Sequence, residues 1–599
     1  RYTVHGDNGP PDQSMSDVIR EWNERYEFPQ FRISTAREFF MKFEEQYGAE
    51  LPVFAGDMTP TWEDGAASTA CETAMNRTTA ARLAQTETIW SMLHKTDAFP
   101  DKAFKEAWKN VILFSEHTWG ASASGTDPHS KFTKDLWEGK KAYADNASNQ
   151  SQILYKQALS PLHVDKGGDF VHVLNTNLWN RTDVVFLDSM VNLNEKELIT
   201  RTGEKVETQR LYDGRWAFVA ENIPALSSEV YQIVSKKKSS RRFVSMSAEN
   251  KILNNGIVRV EIDEVKGTIS SFKRVGDSYE YASNSGLNDY LYTGRYASDP
   301  QGIEQILNIR VLDDGAVAAT LRIESKAPGC NTLWRDVTVY KGIDRVDICN
   351  TLDKQDILDF ENVRFVFPFN IQQPEITMDL AMSEIHPERE QLEGVNKHYY
   401  SLQNGLAVGD LEHAVCLTTV DAPFVELGSP SGLDYRLNPR HGYGWWQSAK
   451  ISPIVYSWVM TNTWRTNYKA SQGGTAKFRY SLQPCNPLDL KLKQRGAERE
   501  MELVAVASRS SQNIEQLFRL KGRHRIALSS IKPADDGKGY IVCLHNMGKQ
   551  SVCSSFVWGS IRPREVSVCD YRQKALRPFN DEMFWMKPYE YIMLKVIIE

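Results

Sequence analysis

The sequence lacks the features of several protein classes. Its 599 residues contain no run of about 18 apolar residues, so a membrane-spanning helix has no support. The 71 basic and 77 acidic residues are dispersed and leave a net charge of −6, which is not the footprint of a nucleic-acid-binding protein. The eight cysteines include no C-x-x-C pair, which excludes a cysteine-based zinc ribbon and a thioredoxin-type motif. We interpret them as buried free thiols in β-structure.

The sequence does contain enough apolar material for several cores. Hydrophobic residues make up 41% of the chain, including 15 Trp, 24 Tyr and 25 Phe. At about 150 residues per domain, the length predicts about four domains. Arg1 is neither Met nor part of a signal peptide, so we expect further chain upstream of it.

The first part of the chain is rich in helical patterns. Residues 1–62 alternate short apolar runs with helical stretches, which is typical of the tail of an α/β domain. Three helices are then predicted, over 66–94, Asp101–Phe114 and Lys131–Leu159. The apolar residues of the first fall within an arc of about 120°, which indicates one buried face. The sequence therefore predicts a three-helix bundle over 63–162.

After the bundle the pattern changes to period two, as in Val258-Arg-Val-Glu-Ile262. We divide this part into a small β-domain at 163–240, a large β-sandwich at 241–500 and a carboxyl-terminal β-domain at 501–599. The predicted fold class is a multidomain α+β protein with large antiparallel β-sandwich domains.

Two loops carry residues that are candidates for chemistry. Asp7 lies in a Gly/Pro-rich segment after a short apolar run, which suggests a loop at a strand end, although a turn capped by Asp and Asn side chains fits as well. His117 follows a predicted helix and is a candidate metal ligand, or simply a side chain favoured by the helix dipole. No second His accompanies it at a metal-binding spacing.

Aromatic residues next to amides and carboxylates form a third group. Sugars present apolar C–H faces and hydroxyl groups, so their sites pair aromatic rings with polar side chains. Most aromatics in a β-protein belong to the core instead. The candidates for substrate contact are Trp62, Asn462, Trp464 and Asn467.

The order of these segments resembles glycoside hydrolase family 38, the class II α-mannosidases. In that family a (β/α)7 catalytic barrel precedes a three-helix bundle and large β-domains. The stretches that carry the resemblance are Gly6-Asp7-Asn8, Trp22-Asn23, Phe39-Phe40, Gly56-Asp57, Trp62, Leu113–Gly120, Val173–Val184, Asn222–Tyr231 and Asn255–Ser271. Residues 1–62 then look like the end of the barrel.

The resemblance implies a divalent metal ion, zinc in type, in the active site. In the family one ligand is a His within a His-His-Asp run at a helix end, and His117 matches this His. The flanking residues differ, since Glu116 and Thr118 stand where the family has His and Asp. The family's general acid lies in a Gly-Asp-Asp segment, which assigns Asp7 as the acid. A register shift of one residue would place Asn8 there, which cannot donate a proton.

The implied reaction is retaining hydrolysis of α-mannosides or related α-glycosides. The family's nucleophile and its first metal ligands have no match here, so we expect them upstream of Arg1. The alternative is a non-catalytic carbohydrate-binding relative, or a fragment that lacks the nucleophile. The expected partner is an oligosaccharide or glycoside, with no nucleic acid and no membrane span. A homo-oligomer stays open, and so does the compartment, periplasmic and secreted locations included.

Overall fold

The computed structural model describes residues 10–54, 57–58, 63–117, 119, 123–164, 167–187, 191–236, 251–294, 298–380, 383–431, 446, 448–463, 467–522 and 525–598. It divides the chain into two compact units, 1–56 and 57–599.

The first unit is helical where it is described. Helix α1 spans Met15–Arg25, helix α2 spans Ala36–Tyr47, and a 3-10 turn, Gly48–Glu50, follows. The side chain of Thr35 accepts a hydrogen bond from the Glu38 backbone N–H and caps the start of α2. Residues 10–54 contain no strand, so the barrel remnant stays a prediction.

The second unit begins with the long helices. A 3-10 turn, Glu63–Thr69, leads into the helices α3, Ala70–Leu93; α4, Asp101–Phe114; α5, Ala123–Thr126; α6, Lys131–Leu159; and, much later, α7, Leu492–Glu500. The helices predicted over 101–114 and 131–159 are present with those bounds, and α6 packs against both α3 and α4. None of the described helices has the length and apolar character needed to cross a bilayer.

Helix α3 does not have the single buried face that its apolar residues suggest. Polar side chains such as Thr79, Thr86 and Ser91 are also fully buried. Two of them bond within the helix: the hydroxyl of Thr86 donates to the Arg82 carbonyl, and that of Ser91 donates to the Glu87 carbonyl. The prediction of one face was wrong because α3 contacts other helices and also strands of the β-domains.

The remainder is built of antiparallel sheets. The first holds β1, Phe170–Asn175; β3, Lys196–Ile199; β4, Lys205–Val206; β7, Ser227–Ser235; and β26, Val504–Ser508. The second holds β2, Arg181–Leu187; β5, Gln209–Arg210; and β6, Trp216–Ile223. The third holds β8, Ile252–Asn254; β9, Val258–Ile262; and β10, Ile269–Arg274.

Two larger sheets share one continuous core with the third sheet. The six-stranded sheet holds β11, Asp289–Thr293; β12, Pro300–Gln301; β17, Asn362–Pro368; β20, Tyr400–Ser401; β23, Phe424–Leu427; and β24, Ile454–Thr461. The nine-stranded sheet holds β13, Gln305–Asp314; β14, Ala318–Lys326; β15, Cys330–Tyr340; β16, Val346–Lys354; β18, Glu375–Leu380; β19, Ser383–Ile385; β21, Gly405–Gly409; β22, Ala414–Thr419; and β25, Gly474–Cys485.

Two last sheets form the carboxyl-terminal part. One holds β27, Phe518–Lys521; β30, Val552–Trp558; and β33, Phe584–Met586. The other holds β28, Ile526–Pro533; β29, Gly539–Asn546; β31, Pro563–Cys569; β32, Ala575–Pro578; and β34, Tyr591–Ile598. Their buried side chains form one cluster with those of α3, α4 and α6. The helices and this β-domain are thus a single packed body.

Two sequence-based details differ from the structure. Strand β26 pairs with β1, Phe170 facing Ser508, so a domain boundary at 501 would cut through a sheet. The eight cysteines are free thiols as expected, but Cys71 is exposed instead of buried.

Candidate functional site

His117 lies in the segment just after α4, and the carboxylate of Glu116 orients its ring. Its Nδ1 atom is 2.9 Å from Oε1 of Glu116, and the imidazole is 57% exposed. The nearly buried Lys140 of α6 donates to the carbonyls of Leu113 and Glu116 and lies 3.2 Å from Oε2 of Glu116. Lys140 thereby supplies donors to two carbonyls, one in the last turn of α4 and one just after the helix. A proton on Nδ1, shared with Glu116, leaves the lone pair on Nε2.

The segment after α4 is tied to the loop that follows β24. The backbone N–H of Trp119 donates to the carbonyl of Asn467. The rings of Trp119 and Phe114 meet edge to face with centroids 5.4 Å apart, and both pack in one buried cluster with Tyr468. The structure therefore brings His117 and Asn467, which are distant in sequence, into one region.

Gly65 completes this region because no larger residue fits there. A Cβ atom at Gly65 would lie 2.2 to 2.5 Å from three ring carbons of the buried Tyr468. The turn 63–69 can approach the loop after β24 only with a bare Cα at this position.

Asn462 has a structural role in this loop. Its side chain is 1% exposed. Its amide nitrogen donates to the carbonyls of Ile357 and Asp359, and its oxygen accepts from the backbone N–H of Glu361. These bonds hold the connection between β16 and β17, so the geometry does not support the predicted substrate contact by Asn462.

Glu63 is a titratable group beside this region that sequence reasoning missed. Burial raises the pKa of its carboxyl group to about 7, and the negative charge of Asp57 adds to the rise. Glu63 also influences the buried Tyr399, whose pKa is raised by burial first and then by the Glu63 charge. At neutral pH the Glu63 carboxyl is therefore close to half protonated and able both to donate and to accept a hydrogen bond.

A buried imidazole lies on the same stretch of chain as Tyr399. The ring of His398 stacks on Trp446 with centroids 4.2 Å apart, and its Nδ1 accepts from the Trp446 backbone N–H at 2.9 Å. Lys450 places its ammonium 3.6 Å from the Trp446 ring centroid. Burial, together with the Lys450 charge, lowers the pKa of His398 to about 3, so this ring is neutral at physiological pH.

Three of the predicted site residues, Asp7, Trp62 and Trp464, lie outside the described residues. Glu63 has a local signal, since it directly follows Trp62 in the sequence. Glu116 also has a local sequence signal, because it is the carboxylate residue directly before His117. Lys140 had none, because it reaches the site only through the packing of α6 on α4.

These residues fit a divalent metal ion only in part. The carboxylate contact of His117 is the arrangement by which proteins orient an imidazole ligand. Among the described residues, no three His, Cys, Asp or Glu side chains are grouped closely enough to hold an ion. This part of the chain thus offers one suitable ligand.

The similarity to known proteins is structural. No protein-family model matches the sequence, and no curated protein does either. The crystal structure of an α-mannosidase from Enterococcus faecalis V583 superposes with a TM-score of 0.74 at 13% identity, covering 99% of this chain and 75% of that one. A protein in glycosyl hydrolase family 38 from Enterococcus faecalis superposes with a TM-score of 0.71, also at 13% identity, covering 98% and 76%.

These superpositions show that the chain has the multidomain α+β fold of family 38 glycoside hydrolases. The expected resemblance to that family is confirmed at the level of the fold. At 13% identity the likeness does not extend to individual site residues.

Proposed function

We propose that this protein acts as a retaining glycoside hydrolase that cleaves α-mannosides or related α-glycosides. The observation that supports it is the superposition on an α-mannosidase over 99% of the chain.

In this proposal His117 is one ligand of a divalent metal ion, zinc in type, and binds it through Nε2. Glu116 holds the ring by its Nδ1 atom, and Lys140 holds Glu116. When bound, the ion contributes Lewis-acid contacts to substrate hydroxyl groups. The other ligands come from outside the described residues.

The proton and the nucleophile have separate sources. Asp7 is the proposed general acid that protonates the leaving oxygen, and a carboxylate acts as the nucleophile. For its role, Asp7 has to be poorly solvated or close to another negative group so that it stays protonated near neutral pH. Trp62, Trp464 and Asn467 remain the proposed substrate contacts, and Asn462 is left out.

The test is hydrolysis of an aryl α-mannoside by the protein with its full natural sequence. We expect turnover that a chelator abolishes and a divalent ion restores. His117→Ala and Asp7→Asn should each lose most activity, whereas Glu116→Gln should weaken metal affinity by about 10- to 100-fold. Glu106→Gln, at an exposed position of α4, is the matched control and should change nothing.

Unchanged turnover in both His117→Ala and Asp7→Asn would refute the proposal. No turnover in the natural protein, combined with calorimetric binding of a mannose oligosaccharide, would instead establish the non-catalytic alternative.

A further inference from the structure

Two buried cysteines meet in the nine-stranded sheet. The Sγ atoms of Cys416, on β22, and Cys485, the last residue of β25, lie 3.3 Å apart. The two strands are hydrogen-bonded neighbours in which Cys485 faces Ala414 and Cys416 faces Gln483. The cysteines are therefore diagonal neighbours on one face of the sheet.

The surroundings of the pair favour a thiolate on Cys485. The pKa of the Cys485 thiol is lowered, first because of its hydrogen-bonding contact with the Cys416 thiol. The guanidinium groups of Arg495 and Arg274 lower it further, against the opposing effect of burial. Burial and the same contact raise the pKa of Cys416. These pKa shifts favour Cys485 as the sulfur that reacts first.

A cavity gives small molecules an approach to this pair. The cavity, of about 730 Å³, is lined in part by Ala407, Ala414 and Leu490. The same three residues pack in the apolar cluster that contains Cys416 and Cys485. The segment from Asn486 to Lys491 is a largely exposed loop between β25 and α7. The cavity and the two thiols thus border the same apolar cluster.

We propose that Cys416 and Cys485 are a reversible oxidation site, which hydrogen peroxide converts to a disulfide. The Cys485 thiolate attacks one peroxide oxygen, the O–O bond breaks, and hydroxide leaves and takes up a proton to form water. This gives a sulfenic acid on Cys485. The Cys416 sulfur then attacks that sulfur, the S–S bond forms, and the sulfenic oxygen leaves as a second water molecule. Two thiols lose two electrons in total, and peroxide gains them.

Forming this bond requires the two sulfur atoms to move closer together. A disulfide needs a sulfur separation of about 2.05 Å, so the sulfurs approach each other by about 1.2 Å. Cys485 can move because β25 ends at it, whereas Cys416 lies inside β22. The bond would join the end of β25 to β22 across a chain separation of 69 residues. It would thereby fix the start of the loop that borders the cavity.

The experiment uses the whole chain and limited hydrogen peroxide. The free thiols titrated after denaturation should fall from eight to six, since one disulfide removes two. A peptide map without reductant should show the Cys416 and Cys485 peptides joined and about 2 Da lighter than their sum. A dithiol reductant should restore all eight thiols. The oxidised protein should also melt a few degrees higher than the reduced protein.

Variants make the test specific. Cys416→Ser and Cys485→Ser should each abolish the joined peptide. Cys330→Ser, at another buried strand position, should leave it unchanged. The proposal is overturned if peroxide joins other cysteines, oxidises Cys485 irreversibly without a bond to Cys416, or leaves both thiols free. The peptide map of the natural chain decides this even if a serine variant fails to fold.

Discussion

Glu87 is expected to make the stability of this protein depend on pH. It lies on α3, is 7% exposed, and accepts a hydrogen bond of 3.1 Å from the indole N–H of Trp108. Burial raises the pKa of its carboxyl group from 4.5 to about 7. In the unfolded chain the pKa returns to the ordinary value, so between these two pH values the folded state binds more protons.

The sign and size of the effect follow from this difference. The stability that a protonated Glu87 contributes is complete below about pH 4.5 and is lost as the pH rises through 7. At about 1.36 kcal/mol for each pH unit between the two pKa values, the loss approaches about 3 kcal/mol. Glu87→Gln keeps an acceptor for Trp108 but carries no charge. It should therefore match the natural protein near pH 4.5 and be more stable at pH 8.

Thermal unfolding across pH 4.5–8 measures this difference. We expect the melting temperature of Glu87→Gln to exceed that of the natural protein by about 2–3 °C at pH 8, because the entropy of unfolding of so long a chain is large. Glu106→Gln, on the exposed face of α4, should show the natural pH dependence. If Glu87→Gln keeps that dependence too, the carboxyl group is not neutral in the folded state and the reasoning fails.

Two further predictions concern packing. Gly65→Ala should destabilise the protein by a few kcal/mol because its Cβ would overlap the ring of the buried Tyr468. Gly139→Ala, at an open position of α6, should instead stabilise the protein by about 0.5–1 kcal/mol. Chemical denaturation compares the two variants, and equal effects would contradict the overlap. Arg364→Met should lower the stability by about 3–5 kcal/mol because it leaves the fully buried carboxylate of Glu426 without its ion-pair partner. The double variant Arg364→Met with Glu426→Leu should recover most of that stability. A double variant as unstable as the sum of its single variants would refute this account.

Local signals predicted many elements well. Pro100 before α4 and Pro161 after α6 mark helix ends that the structure has at or near those residues. Strand β9 was predicted with its observed bounds, because Val258, Val260 and Ile262 alternate with polar residues and only the apolar side is buried. Such signals depend on a few neighbouring residues and therefore predict helix ends and strands without knowledge of the fold.

The candidate site was only partly accessible to sequence reasoning. His117 could be proposed from its neighbours, but the salt bridge from Lys140 to Glu116 depends on how α6 packs on α4. Asn462 looked like a surface residue because amides are usually exposed. It is buried because its three hydrogen bonds satisfy the backbone of a loop about a hundred positions earlier.

By itself, the sequence determined the succession of helices and strands, and with it the resemblance to family 38 that the fold confirms. The tertiary structure alone decided which distant segments meet: β26 beside β1, Tyr468 against Gly65, and Cys485 against Cys416. The physical reason is that helix and strand periodicity depends on residues that are close together in the sequence. Burial, pKa values and sulfur contacts depend instead on packing between segments far apart in the chain.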